Sequence, residues 1–150
     1  GRTGGGCMAE MSLAETLYSF ERQEQGCQWT LEQFEQSLTN PLTSCEVYYQ
    51  QGQIAGYVLS SNLGDMFEVL QITVASTYRR QGVATRLLTW CKEKAKLLGC
   101  ERVVLEVRES NHHAIALYYK SGFQLDAIRK NYYRNKLGKV ENALLMSLTC

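Results

Sequence analysis

The chain has 150 residues, a formal net charge of +1 and a single proline, with acidic and basic side chains interspersed. This length suits one domain with a real core, and the ordinary apolar fraction argues against long disordered segments. The balanced charge gives no reason to expect a nucleic-acid or membrane partner, and no apolar run reaches the length of a membrane span.

The first residues lack the periodicity of a helix or strand. Because the run from Gly1 to Cys7 is rich in glycine, residues 1–10 are expected to be a flexible leader or a cloning remnant. A short first strand from Cys7 to Met11 is the most structure they could supply. Residues 11–150 are expected to form a single domain.

Capping signals, apolar periodicity and turn residues predict the helices and strands. In chain order they are helices at 12–22 and 30–38, strands at 45–50, 54–60 and 67–75, a helix at 83–98, a strand at 102–108, a helix at 112–120, and strands at 123–133 and 140–148. This order, ααβββαβαββ, predicts an α/β or α+β fold around one mixed sheet.

The third predicted strand changes phase. Phe67 and Val69 are apolar on odd positions, whereas Leu70, Ile72 and Val74 are apolar on even positions. A slip of one residue in a period-two pattern indicates a β-bulge. The alternative is a strand buried on both faces, in which alternation carries little information.

Six cysteines form no CxxC pair, and the only two histidines are adjacent, so no metal site is expected. All six cysteines are interpreted as reduced thiols of a cytoplasmic protein, with a disulfide framework as the alternative.

A short turn, Arg79 to Gly82, joins the third strand to the longest helix. The first N–H groups of a helix lack intrahelical partners and lie at the positive end of its dipole, so they can bind an anion. Gly82 has no Cβ to keep a pyrophosphate from these groups, and Ala84 is small. A plain strand-to-helix turn with solvated arginines is the alternative. The patterns of nucleotide hydrolases and dinucleotide folds are absent, so ATP and NAD have little support.

The pattern Arg79-x-x-Gly82-x-Ala84 resembles the [Q/R]-x-x-G-x-[G/A] signature of the GNAT N-acetyltransferases. Similarity to the RimI-type branch of that family continues through residues 105–111, 114–118, 122–123, 129–133 and 141–146. It is dense over residues 66–148. The resemblance implies the GNAT fold, a central mixed and mostly antiparallel sheet flanked by helices. The family usually begins with a strand, which this chain supplies poorly.

The resemblance also implies acetyl-CoA as co-substrate, without a metal. The residues it assigns to coenzyme binding are Ile72, Thr73, Val74, Arg79, Arg80, Gln81, Gly82, Val83, Ala84, Thr85 and Asn111. The strand at 72–74 would lay its backbone beside the pantetheine arm. A backbone N–H there, for example that of Val74, would stabilise the oxyanion.

Two residues are candidates for proton transfer. By position alone, Glu106 is a solvated glutamate or a partner of Arg108, and the resemblance assigns it the role of general base, acting through a water. By position alone, Tyr118 is a core aromatic beside Ile115, and the resemblance selects it over Tyr119 as the acid that protonates the leaving thiolate.

Tyr132, Tyr133 and Glu141 are expected to line the acceptor groove, with cross-strand aromatic packing as the alternative. RimI-type enzymes acetylate the N-terminal α-amine of a small-subunit ribosomal protein, so the resemblance implies that acceptor. Direct attack in a ternary complex is expected, without an acyl-cysteine. The alternatives are an acetyltransferase for lysine or small-molecule amines and a non-catalytic acyl-CoA-binding module.

Overall fold

A computed structural model of the chain describes residues 10–24, 29–135 and 137–150. The helices are α1 (Leu13–Glu24), α2 (Leu31–Thr39), α3 (Val83–Leu97) and α4 (His112–Lys120), and the strands are β1 (Thr43–Gln50), β2 (Gln53–Asn62), β3 (Met66–Val74), β4 (Arg102–Arg108), β5 (Gln124–Arg134) and β6 (Val140–Thr149). This order agrees with the prediction, and boundaries differ by only a residue or two.

The predicted leader falls mainly on residues 1–9, which lie outside the described residues. The same holds for most of the predicted first strand, while Glu10 and Met11 belong to neither a helix nor a strand. No helix in the described ranges is both long and apolar enough to cross a membrane.

The chain divides into two compact units between Pro41 and Leu42, and each is described by itself. The first contains α1 and α2, and both helices begin with the predicted capping boxes. The amide of Ser12 donates to Glu15 Oε1 at 2.8 Å, and the amide of Glu15 donates to Ser12 Oγ at 3.1 Å. The corresponding box at Thr30 opens α2. The ring of Trp29 packs 5.2 Å from that of Phe34.

The second unit is a six-stranded sheet with the order β1-β2-β3-β4-β6-β5. Neighbouring strands are antiparallel except β3 and β4. The connections β3-α3-β4 and β4-α4-β5 both join parallel strands and step across the sheet in the same direction. Because such crossovers are right-handed, α3 and α4 lie on the same face of the sheet. The mixed, mostly antiparallel sheet predicted from the resemblance is confirmed.

Strand β3 contains the predicted bulge. Leu59 of β2 pairs with Gln71 and Ser60 pairs with Val69, so Leu70 is an extra residue on β3. On its other edge, β3 pairs with β4 only from Met66 to Glu68, opposite Arg102 to Val104. The two strands therefore separate at the bulge, and a cleft opens between Val69–Val74 and the end of β4. We call it the β3–β4 cleft.

Candidate active site

The backbone of β3 presents unpaired groups to the β3–β4 cleft. The amide of Ala75 donates to Ala55 O of β2 at 2.8 Å. Because peptide groups in a strand alternate between its two edges, the amide of Thr73 also points toward β2, and those of Ile72 and Val74 point toward the cleft. Two of the three strand residues predicted to lie beside the coenzyme therefore direct their N–H groups into this gap.

The turn before α3 contains two residues with left-handed backbone, Arg80 with φ 65° and Gly82 with φ 79°. Gly82 is the N-cap of α3 without a side-chain cap, and a Cβ added to it would meet no atom within 4 Å. The amide of Arg86 bonds to Gly82 O at 3.0 Å. The preceding amides, those of residues 83–85, have no intrahelical acceptor because they lie at a helix start. An anion site at these amides stays a prediction.

The arginines near this turn have different environments. Arg79 and Arg80 are exposed, so their charge is free to contribute to an anion site. Arg86 instead stacks its guanidinium on the ring of Tyr48, 4.6 Å from the centroid. Arg86 also lines an open pocket of about 340 Å³ between β1 and α3, together with Thr85 and Trp90. Arg86 is therefore held against β1.

Tyr118 is buried on α4, with 7% of its surface exposed, whereas 49% of Tyr119 is exposed. The ring of Tyr118 packs against that of Phe123, with the centroids 5.7 Å apart. Burial, and secondarily the charge of Cys91, raises the pKa of Tyr118 to about 12. Cys91 belongs to the buried side of α3, with Sγ 3.6 Å from Ser60 Oγ. The effect of Cys91 on the pKa of Tyr118 therefore agrees with the topology, which places Tyr118 on the α3 face of the sheet.

Glu106 lies on the opposite face. Val103, Leu105 and Val107 are buried toward α3, and the intervening residues of β4 are half-buried, as the alternation predicts. The hydroxyl of Tyr133 donates to Glu106 Oε2 at 2.6 Å, and Arg129 Nη1 lies 3.8 Å from Oε1. The pairing with Arg108 considered from the sequence does not occur, since Arg108 bonds to Glu141 at 3.4 Å.

An irregular segment of β5 brings Tyr133 to Glu106. Register pairs Arg129 with Ala143 and Tyr133 with Glu141, so three residues of β5 stand opposite one residue of β6. Within this segment Asn131 has φ 55°, and its amide donates to Asn142 Oδ1 at 2.9 Å. The ring of Tyr133 is also held by the guanidinium of Arg108, 4.3 Å from its centroid.

Tyr132 and Glu141 are the other two residues predicted to line the acceptor groove, and they contact different neighbours. Tyr132 is half-exposed and packs edge-on against Tyr133, with centroids 5.2 Å apart. Glu141 accepts the amide of Ser110 at 3.1 Å. The pKa of Glu141 is lowered chiefly by the side chain of Ser110, and further by this amide and by Arg108. The carboxylate of Glu141 thus fastens the loop after β4 and holds Arg108.

Asn111, predicted to contact the coenzyme, is the N-cap of α4. Its Oδ1 accepts the amide of Ala114 at 3.2 Å, which leaves the side-chain NH₂ group for another partner. Its role toward the coenzyme stays a prediction. Within the described ranges, no cluster of three or more His, Cys, Asp or Glu side chains is arranged to hold a metal ion.

Sequence reasoning did not assign functions to Arg129, Asn131, Asn142 or Glu68. The first three lie inside segments that resemble the family, but no spacing rule shows that a bulge in β5 turns Tyr133 toward β4. For Glu68 a signal exists, because it is an acidic residue directly before the phase slip of β3.

Two parallel strands diverge to form the cleft, the uncapped start of α3 lies at the end of β3, and Tyr118 and Glu106 lie on opposite faces of the sheet, which is the arrangement that the resemblance implies for an acyltransferase. The acetyltransferase (GNAT) family model matches residues 9–123, and the chain belongs to this family.

The chain is 32% identical over 133 residues to a ribosomal protein bS18-alanine N-acetyltransferase of Haemophilus influenzae, covering 89% of the chain and 90% of that protein. It also resembles the crystal structure of the ribosomal-protein-S18-alanine N-acetyltransferase from Escherichia coli, with a TM-score of 0.83, 28% identity and coverage of 94% and 91% of the two chains. A GNAT acetyltransferase from Elizabethkingia anophelis with acetyl-CoA bound shares the fold, with a TM-score of 0.72, 21% identity and coverage of 89% and 90%.

Proposed function

We propose that this chain transfers the acetyl group of acetyl-CoA to the N-terminal α-amine of a protein, a small-subunit ribosomal protein, by direct attack in a ternary complex. The observation that carries the proposal is the β3–β4 cleft, with Tyr118 on its α3 face and Glu106 on the other. The coenzyme would bind from the α3 side, where the N–H groups that follow Gly82 would donate to its pyrophosphate. The acceptor amine would enter from the Glu106 side.

The residues of the cleft suit the proton transfers of this reaction. The amine forms a bond to the thioester carbon, the carbon–sulfur bond breaks, and the thiolate needs a proton. A phenol whose pKa is about 12 stays protonated at neutral pH and is available as that donor. Glu106 would accept the proton of the ammonium, directly or through a water. The amide of Val74 or Ile72 would stabilise the oxyanion.

An N-terminal acceptor needs less help from a base than a lysine side chain does. A model α-amine has a pKa of about 8, whereas that of lysine is about 10.4, so the α-amine loses its proton more readily. The relatives named for alanine N-acetylation of ribosomal protein bS18 support the same acceptor class, and a ribosomal protein as substrate makes the cytoplasm the proposed compartment.

The test is a panel of synthetic peptides with the N-terminal sequences of small-subunit ribosomal proteins, each with a free and a blocked α-amine and each with one lysine. The chain is incubated with acetyl-CoA, and mass spectrometry locates the acetyl group. We expect acetylation of the free α-amine alone. Turnover that persists with a blocked α-amine would assign the enzyme to lysine or to other amines instead.

The matched control carries Glu106→Gln and Tyr118→Phe together. Both replacements keep the shape of the side chain, so acetyl-CoA binding is expected to survive while acetylation is lost. If this variant and the wild type acetylate the peptides equally slowly, while both still bind acetyl-CoA, the result would favour the non-catalytic acyl-CoA-binding module.

A further inference from the structure

A second carboxylate, Glu68, lies beside Glu106 where β3 and β4 separate. Glu68 pairs with Val104, and this is the last register pair between the two strands. Residues paired in a parallel ladder share a face of the sheet, and so do alternate residues of one strand. Glu68, Val104 and Glu106 therefore lie on one face, opposite the face where Phe67 packs 6.4 Å from Trp90 of α3.

The two carboxylates have different partners. Glu106 is held by the Tyr133 hydroxyl and lies near Arg129. For Glu68, no residue of the described ranges supplies a side-chain hydrogen bond or an ion pair, although the side chain is half-buried. Burial, and secondarily the charge of Glu106, raises the pKa of Glu68. A half-buried carboxylate beside a second negative charge is stabilised by a cation, and no cationic side chain of the described ranges forms an ion pair with Glu68.

We propose that Glu68 binds the α-ammonium group of the acceptor at the closed end of the β3–β4 cleft and thereby selects for a charged N-terminus. This inference rests on the proposed function, since an α-amine is largely protonated at neutral pH. The ammonium would lie between Glu68 and Glu106 and lose one proton to Glu106. The neutral amine then attacks the thioester, the carbon–sulfur bond breaks, and the thiolate takes a proton from Tyr118. The second proton of the amine returns to Tyr118 through solvent as the amide forms, and Glu106 gives its proton to solvent, so one proton is released overall.

The geometry favours Glu68 for binding and Glu106 for proton uptake. Glu68 is anchored where β3 is still hydrogen-bonded to β4, so its backbone is fixed by the ladder. Glu106 is two residues further along β4, beside the open part of the cleft and across the sheet from Tyr118. A cation held at Glu68 is thus next to the base and at the entrance to the reacting side of the cleft.

The test compares wild type with Glu68→Gln, which removes the charge and keeps the shape. Two ligands are used: an acceptor peptide, and the same peptide with its α-amine replaced by hydrogen, which acts as an inhibitor. We expect the KM of the acceptor peptide to rise about tenfold, the change typical of a lost charged hydrogen bond. The Ki of the uncharged inhibitor and the KM of acetyl-CoA are expected to stay unchanged, because neither ligand carries the ammonium.

Two further variants control for other effects. Glu101→Gln removes the same charge at an exposed position just before β4 and is expected to leave all three constants unchanged. Glu68→Asp keeps the charge and is expected to recover most of the peptide affinity, which also covers the case in which Glu68→Gln folds poorly.

The outcomes separate this inference from the proposed function. An unchanged peptide KM in Glu68→Gln overturns the role of Glu68 alone, and so does a parallel rise of the peptide KM and the inhibitor Ki, which indicates general damage to the groove. A wild-type chain that acetylates no α-amine overturns both proposals.

Discussion

Tyr118 owes its suitability as an acid to burial on α4. Because burial raises its pKa to about 12, the neutral phenol persists throughout the pH range in which the enzyme would work. Replacing Tyr118 by Phe keeps the ring that packs against Phe123 and removes only the proton donor. We expect kcat to fall about a hundredfold or more, with little change in the dissociation constant of acetyl-CoA. Steady-state kinetics and calorimetry measure the two effects, and an unchanged kcat would remove Tyr118 from the mechanism.

Tyr133 is expected to prepare Glu106 for its role. Its hydroxyl donates to the carboxylate at 2.6 Å, and this charged hydrogen bond fixes the position of the proposed base. In Tyr133→Phe the carboxylate loses this donor, so kcat/KM, measured by steady-state kinetics, is expected to fall about tenfold. Burial and the bond to Glu106 raise the pKa of Tyr133 itself, so its own ionisation does not contribute near neutrality.

The neighbouring residue provides the control for that experiment. Tyr132 is half-exposed, and its ring contacts Tyr133 and Arg129, but its hydroxyl has no part in holding Glu106. Tyr132→Phe should therefore leave kcat/KM close to that of the wild type. A fall of the same size in both variants would show that aromatic packing in the hairpin, rather than the bond to Glu106, controls the rate.

At the scale of elements, the sequence predicted features that arise from a local pattern. The bulge at Leu70 follows from the phase slip in β3, because one residue added to a strand moves the side chains that follow it to the opposite face of the sheet. The uncapped start of α3 follows from Gly82, which takes a left-handed backbone and has no side chain to cap the helix. Both features depend on a few adjacent residues and were therefore predictable.

Other features depend on contacts between distant segments and were not predictable. The close approach of α3 to β2 requires Gly56, where a Cβ would lie 3.0 Å from Val83 Cγ1 and 2.9 Å from Thr73 O. Whether Glu106 would pair with Arg108 or with Tyr133 depended on the irregular segment of β5, which the pattern of residues 124–134 does not indicate. The side-chain partners in the cleft thus follow from tertiary register rather than from local sequence.

For the molecule as a whole, the order of elements was predictable because each begins or ends at a capping or turn residue, whereas the arrangement of the cleft follows from the right-handed crossovers. These place α3 and α4 on one face, and alternation along β4 places Glu106 on the other. The cleft therefore opens on both faces of the sheet, and the sites proposed for coenzyme and acceptor lie on opposite faces.

This arrangement predicts a ternary complex, and Cys91, the thiol whose charge acts on Tyr118, is unsuited to the alternative. Cys91 has no exposed surface, and burial raises its pKa to about 11, so at neutral pH it is a protonated thiol rather than a nucleophile. A route through acetyl-Cys91 would give parallel lines in double-reciprocal plots of rate against peptide at several acetyl-CoA concentrations. We expect intersecting lines, and we expect Cys91→Ser to keep kcat within a few-fold of wild type. Parallel lines, with an acetylated enzyme detected by mass spectrometry in the absence of peptide, would contradict direct transfer across the cleft.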